Sequence, residues 1–384
     1  MHFTQFDSAE FLRTAWQKQP RLIRNPWAAW RNPLEPDELA GLACEPDVEA
    51  RLVTYARDNW DLEHGPLRED RFAKLGKKEP WTLLVQAVDH HVPAVAALLD
   101  PFRFIPNWRI DDVMVSYAVD GGGVGPHFDQ YDVFLVQGLG KRRWQLGGLC
   151  DGTTELQPHD HLRLLARFEP FQEWILEPGD ILYVPPRVAH CGVAIGDDCM
   201  TYSVGFRAPS RAELLAGWTE HLLEELEDGD RFADPDLQHL ENPGEISAPA
   251  LERLHGMVAE RLLDRAAFAR WFGTYSSTPK NPDIDWRPEQ PIAPDDLREV
   301  LGGGSALLRN PASRFSFVRE GPGSVALFVD GRSISCTGAA AAFAELLCGN
   351  VRFTVDPVLL ESAHAMLLIA ELVDAGSLAF SDED

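Results

Sequence analysis

A chain of 384 residues has room for two or three domains, and 45% hydrophobic with 25% charged residues is the balance of a globular protein with sizeable cores. The formal net charge of −25 disfavours nucleic-acid phosphates and anionic membranes as partners and favours basic proteins. The six cysteines (Cys44, Cys150, Cys191, Cys199, Cys336, Cys348) lack CxxC pairing, and neither a secretory leader nor a membrane-length apolar run is legible, so a zinc ribbon, a disulfide framework and a membrane span are set aside for a reducing, cytoplasmic setting.

Residues 7–60 read as short helices broken by Pro and Trp: "SAEFLRTAW" opens on Ser8 as a cap, and "EPDELAGLAC" behaves likewise. From about Ile110 to Phe206 short strands alternate with Gly and Pro ("VMVSYAV", "YDVFLVQG", "RRWQLG", "EWILEPGDILYVPP", "CMTYSVGF"), which predicts a barrel or sandwich. "GLG" at 138–140 reads as the turn between two of them. Beyond Pro209 the pattern is helical, with Leu215, Trp218, Leu222 and Leu226 on one stripe. Nine acidic residues against Arg231 alone, over 212–236, make the opposite face negative. A second helix near 248–272 precedes a Pro-rich linker, "GTYSSTPKNPDIDWRPEQPIAP". The remainder combines a helix ("APDDLREVLGGG"), a hairpin turning at Asp330-Gly331 and two further helices, a winged-helix-like order. Its last long helix, 356–374, has no Lys or Arg, which points to a structural or interaction role rather than DNA reading. The implied boundaries are 1–208, 209–276 and 277–384.

The chemistry concentrates in "GGGVGPHFDQYDVFLVQGLGKRRWQLG", residues 121–147. On a strand, His127 and Asp129 point to the same side. Two His and one carboxylate are the donor set of non-haem Fe(II) oxygenases, which keep open positions for co-substrate and O2. His-x-Asp spacing recurs by chance, but here "PGDILYVPPRVAH" supplies strand, Pro-Pro corner and His190 as third ligand. "HDH" at 159–161 sits in a polar loop and reads as solvated, and His90-His91 lies at a helix end without a carboxylate at strand spacing. After the turn, Arg142, Trp144 and Leu146 share one face, opposite Lys141, Arg143 and Gln145. A guanidinium beside Trp and Leu is costly unless an anion meets it, and the far carboxylate of 2-oxoglutarate fits its fork; otherwise Arg142 faces solvent in a merely basic strand. Ser116, on a face with Met114 and Ala118, either bonds that carboxylate or is satisfied by backbone.

"SYAVDGGGVGPHFDQYDVFLVQGLGKRRWQLG", with "PGDILYVPPRVAH" and "MTYSVGFRAP", resembles the JmjC-type ribosomal oxygenases. It is most similar to their bacterial branch, the arginine-directed 3-hydroxylases of 50S ribosomal protein L16. The resemblance covers essentially the whole chain. It implies a mainly β JmjC/cupin double-stranded β-helix with flanking helices, an α-helical dimerisation segment and an α+β winged-helix-like C-terminal domain. It also implies Fe(II) on His127, Asp129 and His190, 2-oxoglutarate as co-substrate with its C5 carboxylate on Arg142 and Ser116 lining that site, and a homodimer. Asp120 stands where the best-known member has proline; it either meets a substrate guanidinium at the pocket mouth or begins the turn. The glycine run 121–123 is expected at the entrance. Rival readings are a histidine-directed ribosomal oxygenase, a JmjC lysine demethylase, and a non-catalytic cupin-like binding protein or ribosome-assembly adaptor.

Overall fold

The strand-forming stretch between Ile110 and Phe206 supplies the two longest strands of the protein, and the rest of the first unit is arranged around them. The computed structural model describes residues 1–57, 59–75, 79–227 and 229–381 and divides into two units, Met1–Ala208 and Pro209–Asp384.

The first unit carries β1 (Arg21–Ile23), β2 (Ala50–Ala56), β3 (Asn59–His64), β4 (Trp81–Val85), β5 (Ile110–Ala118), β6 (Asp132–Leu149), β7 (Gln172–Leu176), β8 (Ile181–Val184) and β9 (Val188–Phe206). They form one sheet in the order β1-β8-β6-β9-β5-β4-β2-β3, with β7 also on β6. β6 pairs with β9 along nearly its whole length, with β8 through Val133–Val136 and with β7 through Arg142–Leu146. "GLG" is therefore not a turn, contrary to the expectation: β6 runs straight through it. Its register shifts between Gln137 and Leu139 and again before Lys141 are bulges, with Gly140 at φ +59. A Cβ on Gly140 would lie 2.8 Å from the Asp198 carbonyl oxygen, so a glycine lets β6 bend while β9 stays beside it. His190 likewise shares the single strand β9 with "CMTYSVGF".

One face of this sheet packs on the N-terminal helices α1 (Ser8–Thr14), α2 (Pro36–Leu42), α3 (Glu69–Ala73) and α4 (Pro93–Ala96), around Phe11, Phe134, Tyr183, Tyr202 and Phe206. A second core, with Val133, Leu135, Trp144, Leu146, Leu182 and Val184, fills the other side. Asp7, not Ser8, caps α1: its backbone is extended and its carboxylate accepts from the Glu10 N–H, while Ser8 is already helical.

The second unit opens with α5 (Arg211–Glu225), α6 (Ala248–Leu262), α7 (Arg265–Ser277) and α8 (Pro294–Gly302). It continues through β10 (Leu307–Arg309), β11 (Phe315–Gly321), β12 (Ser324–Val329), β13 (Arg332–Thr337), α9 (Ala339–Gly349), β14 (Arg352–Phe353), α10 (Pro357–Leu360), α11 (Ala363–Asp374) and β15 (Leu378–Phe380). The expected stripe on α5 is half right. Trp218 and Leu222 are buried, but Leu215 is 55% and Leu226 40% exposed, because contact of Trp218 with Trp271 and Phe268 brings Leu214 inward instead. The single helix expected over 248–272 is two, parted where Asp264 caps α7. "GTYSS" belongs to α7 rather than the linker, since Gly273 packs directly on Phe328. Asp330 and Gly331, both at positive φ, make the hairpin turn as read from the sequence. The last helix, expected over 356–374, is split into α10 and α11, capped by Asp356 and Ser362.

Candidate metal and co-substrate site

His127 and Asp129 do not lie on a regular strand, as the spacing had suggested. Residues 121–129 form an extended rib along β9, held by isolated bridges at Gly123–Val193 and His127–His190. His127 and His190 exchange both backbone hydrogen bonds, at 3.0 and 2.8 Å, so the ligand pair alternates as it would in a strand. The glycine run is what allows this approach. A Cβ on Gly123 would sit 2.4 Å from the Gly192 carbonyl oxygen, and one on Gly122 2.4 Å from that of Trp81. Gly122 and Gly123 are therefore buried against backbone rather than placed at an entrance.

His127, Asp129 and His190 come together with ligand atoms within 4.8 Å of one another. The Nδ1 of His127 lies 2.9 Å from the Gly125 carbonyl oxygen, and the Nδ1 of His190 lies 2.9 Å from that of Val188. These bonds make Nδ1 the donor in both rings and turn each Nε2 toward the centre. Asp129 Oδ2 is 3.5 Å from His190 Nε2, and the Asp129 carbonyl accepts from the Arg187 N–H at 2.6 Å. Burial first, then the neighbouring His127, pushes the His190 pKa down, which keeps it the neutral imidazole a metal requires. Two imidazoles and a carboxylate fit Fe(II).

Arg142 sits further along β6 with Trp144 and Leu146 facing the interior, while Lys141 and Arg143 are exposed and Lys141 pairs with Glu177. Only 3% exposed, Arg142 leaves Nε and Nη2 without a hydrogen-bond partner among the described residues. A bare guanidinium edge in the interior fits a carboxylate, so the site suits a 2-oxoglutarate-type acid as well as a metal. Ser116 is buried, and its hydroxyl makes one long bond, 3.5 Å, to the Thr201 carbonyl oxygen. Asp120 is exposed, and its carboxylate accepts from the Gly196 N–H at 2.7 Å, a long-range tie to β9.

Sequence reading passed over Thr201 and Gln137, which meet Ser116 across three strands. Thr201 Oγ1 donates to Gln137 Oε1 at 3.2 Å, and Gln137 Nε2 donates to the Leu139 carbonyl oxygen at 2.7 Å. Their signal was a lone polar residue at an inward position of an apolar strand. Also missed was the charged setting of Tyr131, 43% exposed overall: desolvation and then the carboxylates of Asp129 and Asp112 push its phenol pKa up, against the opposing Arg51. The "HDH" stretch is not free in solvent throughout. His159 Nε2 meets the Trp60 carbonyl oxygen at 3.2 Å, and its Nδ1 accepts from the His161 and Leu162 N–H groups.

Known proteins resemble this chain in sequence and fold. Residues 97–214 match the JmjC domain family and residues 260–379 the ROXA-like winged helix. The chain is 37% identical over 369 residues to the ribosomal protein uL16 3-hydroxylase of Escherichia coli, covering 96% of each chain. It is 38% identical over 314 residues to a probable ribosomal oxygenase of Haemophilus influenzae, covering 78% of this chain and 75% of that one. A solved structure of the Escherichia coli ribosomal oxygenase YcfD with cobalt and 2-oxoglutarate superposes with a TM-score of 0.85 at 36% identity, over 99% of both chains. Similarity of this extent, running through both units, shows that the chain belongs to the JmjC-type ribosomal oxygenases.

Proposed function

We propose that this protein is an Fe(II)- and 2-oxoglutarate-dependent hydroxylase of an arginine side chain, at C3, in the basic ribosomal protein L16. The observation that carries this reading is the metal-competent triad next to a buried Arg142 whose Nε and Nη2 lack a hydrogen-bond partner among the described residues. His127, Asp129 and His190 would hold the metal, and Arg142 and Ser116 would hold the far carboxylate of 2-oxoglutarate. Bound iron supplies O2 activation coupled to oxidative decarboxylation of 2-oxoglutarate to succinate and CO2. The chain's own part is to orient the acid, exclude water through the apolar walls of Trp144, Leu146 and Leu182, and present a cationic side chain to the metal. The net charge of −25 favours a basic protein as substrate. The Escherichia coli relative, named for uL16 3-hydroxylation, supports L16 as substrate.

The test is purified protein with Fe(II), 2-oxoglutarate and intact L16 or an L16 peptide, read by mass spectrometry for one added oxygen on arginine. Oxygen on histidine would move the target to that residue, formaldehyde release would indicate demethylation, and no decarboxylation with any basic protein would remove the oxygenase reading. We assign the domains as 1–208 for the oxygenase, 209–276 for a dimerisation segment and 277–384 for the winged-helix-like module, in a cytoplasmic homodimer that binds neither DNA nor membrane. The apolar side chains left exposed on α5 and α6 (Leu215, Leu223, Leu251, Leu254 and Val258) support the dimer. Among the described residues no helix is long and apolar enough to cross a membrane. Leu251→Glu should shift sedimentation from dimer to monomer; an unchanged value would place the dimer contact elsewhere.

A further inference from the structure

We propose that Trp144 is a further co-substrate-binding residue, its indole N–H acting beside Arg142 as a second donor to the bound dicarboxylic acid. This rests on the function proposed above and extends it to a residue that the apolar packing alone would class as wall. Trp144 is 4% exposed, and its Nε1 has no hydrogen-bond partner among the described residues. A buried indole N–H ordinarily finds an acceptor, and one left bare loses its hydration without return.

The packing around the ring says where that donor is aimed. Trp144 is paired across β6 and β9 with Gly192, and a Cβ there would come within 2.6 Å of Trp144 Cζ3 and Cη2 and 2.9 Å of Cε3. The benzenoid edge thus lies flat on the one residue type that leaves it room, and the edge bearing Nε1 is turned away from β9. The ring also bridges the two ends of the site, 5.8 Å from the Arg142 Cζ and with its centroid 5.8 Å from that of His190. Among the described residues, three buried donors therefore lack partners on one inward stretch of β6: Arg142 Nε, Arg142 Nη2 and Trp144 Nε1. A carboxylate can take the guanidinium edge on two oxygens and still accept from the indole on a remaining lone pair.

The test uses full-length protein with indole-15N tryptophan and Zn(II) as a diamagnetic stand-in, titrated with 2-oxoglutarate. Eleven tryptophans make a Trp144→Phe variant necessary to identify the resonance. One indole N–H signal, absent from that variant, is expected to move downfield and gain protection from solvent exchange. Phe keeps the ring over Gly192 but not the donor, so Trp144→Phe should bind 2-oxoglutarate roughly tenfold more weakly at unchanged Zn(II) affinity. If calorimetry shows the acid bound while every indole signal stays in place, the proposal is overturned and the function above stands. Equal affinity in Trp144→Phe overturns it as well. A wild-type protein that binds no 2-oxoglutarate overturns both. Should that variant fail to fold, Trp144→Leu, which also lacks the donor, serves for both the assignment and the affinity comparison.

Discussion

At the metal end of the pocket, the ring nitrogens of His127 and His190 that face away from the centre are already bonded, to the carbonyls of Gly125 and Val188. A few residues along the neighbouring strand β6, Arg142 is buried with Nε and Nη2 lacking a hydrogen-bond partner among the described residues. The first region is complete in itself: backbone fixes the rings, and the burial of His190 holds it neutral before any metal arrives. The second is unfinished without a ligand and carries an uncompensated charge in the interior. A site built this way is preorganised where it must fix a metal, and stores a desolvation penalty where it must attract an acid.

The contrast can be broken most severely at the metal. A hydrogen-bond partner behind a ligand is worth about ten- to a hundredfold in metal affinity or activity. Removing the ligand itself by Asp129→Ala should therefore lower turnover on the order of a thousandfold or more, with metal titration by calorimetry showing the same loss. Retained turnover would take Asp129 out of the coordination sphere. Arg142→Met tests the opposite end. It should weaken 2-oxoglutarate binding by about a hundredfold, as expected when one partner of a buried charge pair is cut, and leave metal affinity nearly unchanged. It should also make the ligand-free protein more stable by about 1 to 3 kcal/mol, because the bare charge is gone. Saturating 2-oxoglutarate, at about a hundred times its Kd, should stabilise metal-loaded wild-type protein by about 2.7 kcal/mol, and the variant at the same concentration far less. If thermal melts show the variant less stable without ligand, Arg142 is not a stored penalty.

A smaller effect is expected from the rib that carries the ligands. In Gly123→Ala the new Cβ would meet the Gly192 carbonyl oxygen at 2.4 Å, a backbone atom that cannot swing aside. Overpacking of this kind costs about 1 to 3 kcal/mol. The displaced His127 should lower metal affinity about tenfold, while 2-oxoglutarate affinity measured at saturating metal changes little. Equal losses at both ends would mean that the two regions are one mechanical unit.

The metal end was also the more legible from sequence. His127, Asp129 and His190 announce themselves by residue type, and two-residue alternation survives even though the rib is not a regular strand. Arg142 was legible because a cation shares a face with Trp144 and Leu146. Its bareness was not, since that depends on what β7 and β9 bring alongside. "GLG" misled because a glycine pair that usually reverses a chain can equally kink a strand whose partner continues past it, and only β9 decides between these. The phase of α5 failed for a similar reason: Leu214 and Leu215 are equivalent in type, and Trp271, more than fifty residues on, selects Leu214.

Asp120 is the finest probe of the comparison, because it lies beside the glycine run yet has the self-satisfied character of the metal end. Its Oδ1 accepts from the Gly196 N–H, and its own N–H donates to Asp197 Oδ1 at 3.3 Å, so it is braced against β9 with no help from a ligand. Asp120→Asn keeps an oxygen for Gly196 and removes only the charge. If the residue is only a brace, kcat/KM for the L16 peptide should stay within about twofold of wild type, in line with surface substitutions that cost no more than about 0.5 kcal/mol. If the carboxylate also meets a substrate guanidinium, the lost charge-assisted bond should raise KM about tenfold or more at unchanged kcat. Steady-state kinetics at two salt concentrations separates these outcomes, since only the second makes the Asp-to-Asn difference shrink as ionic strength rises.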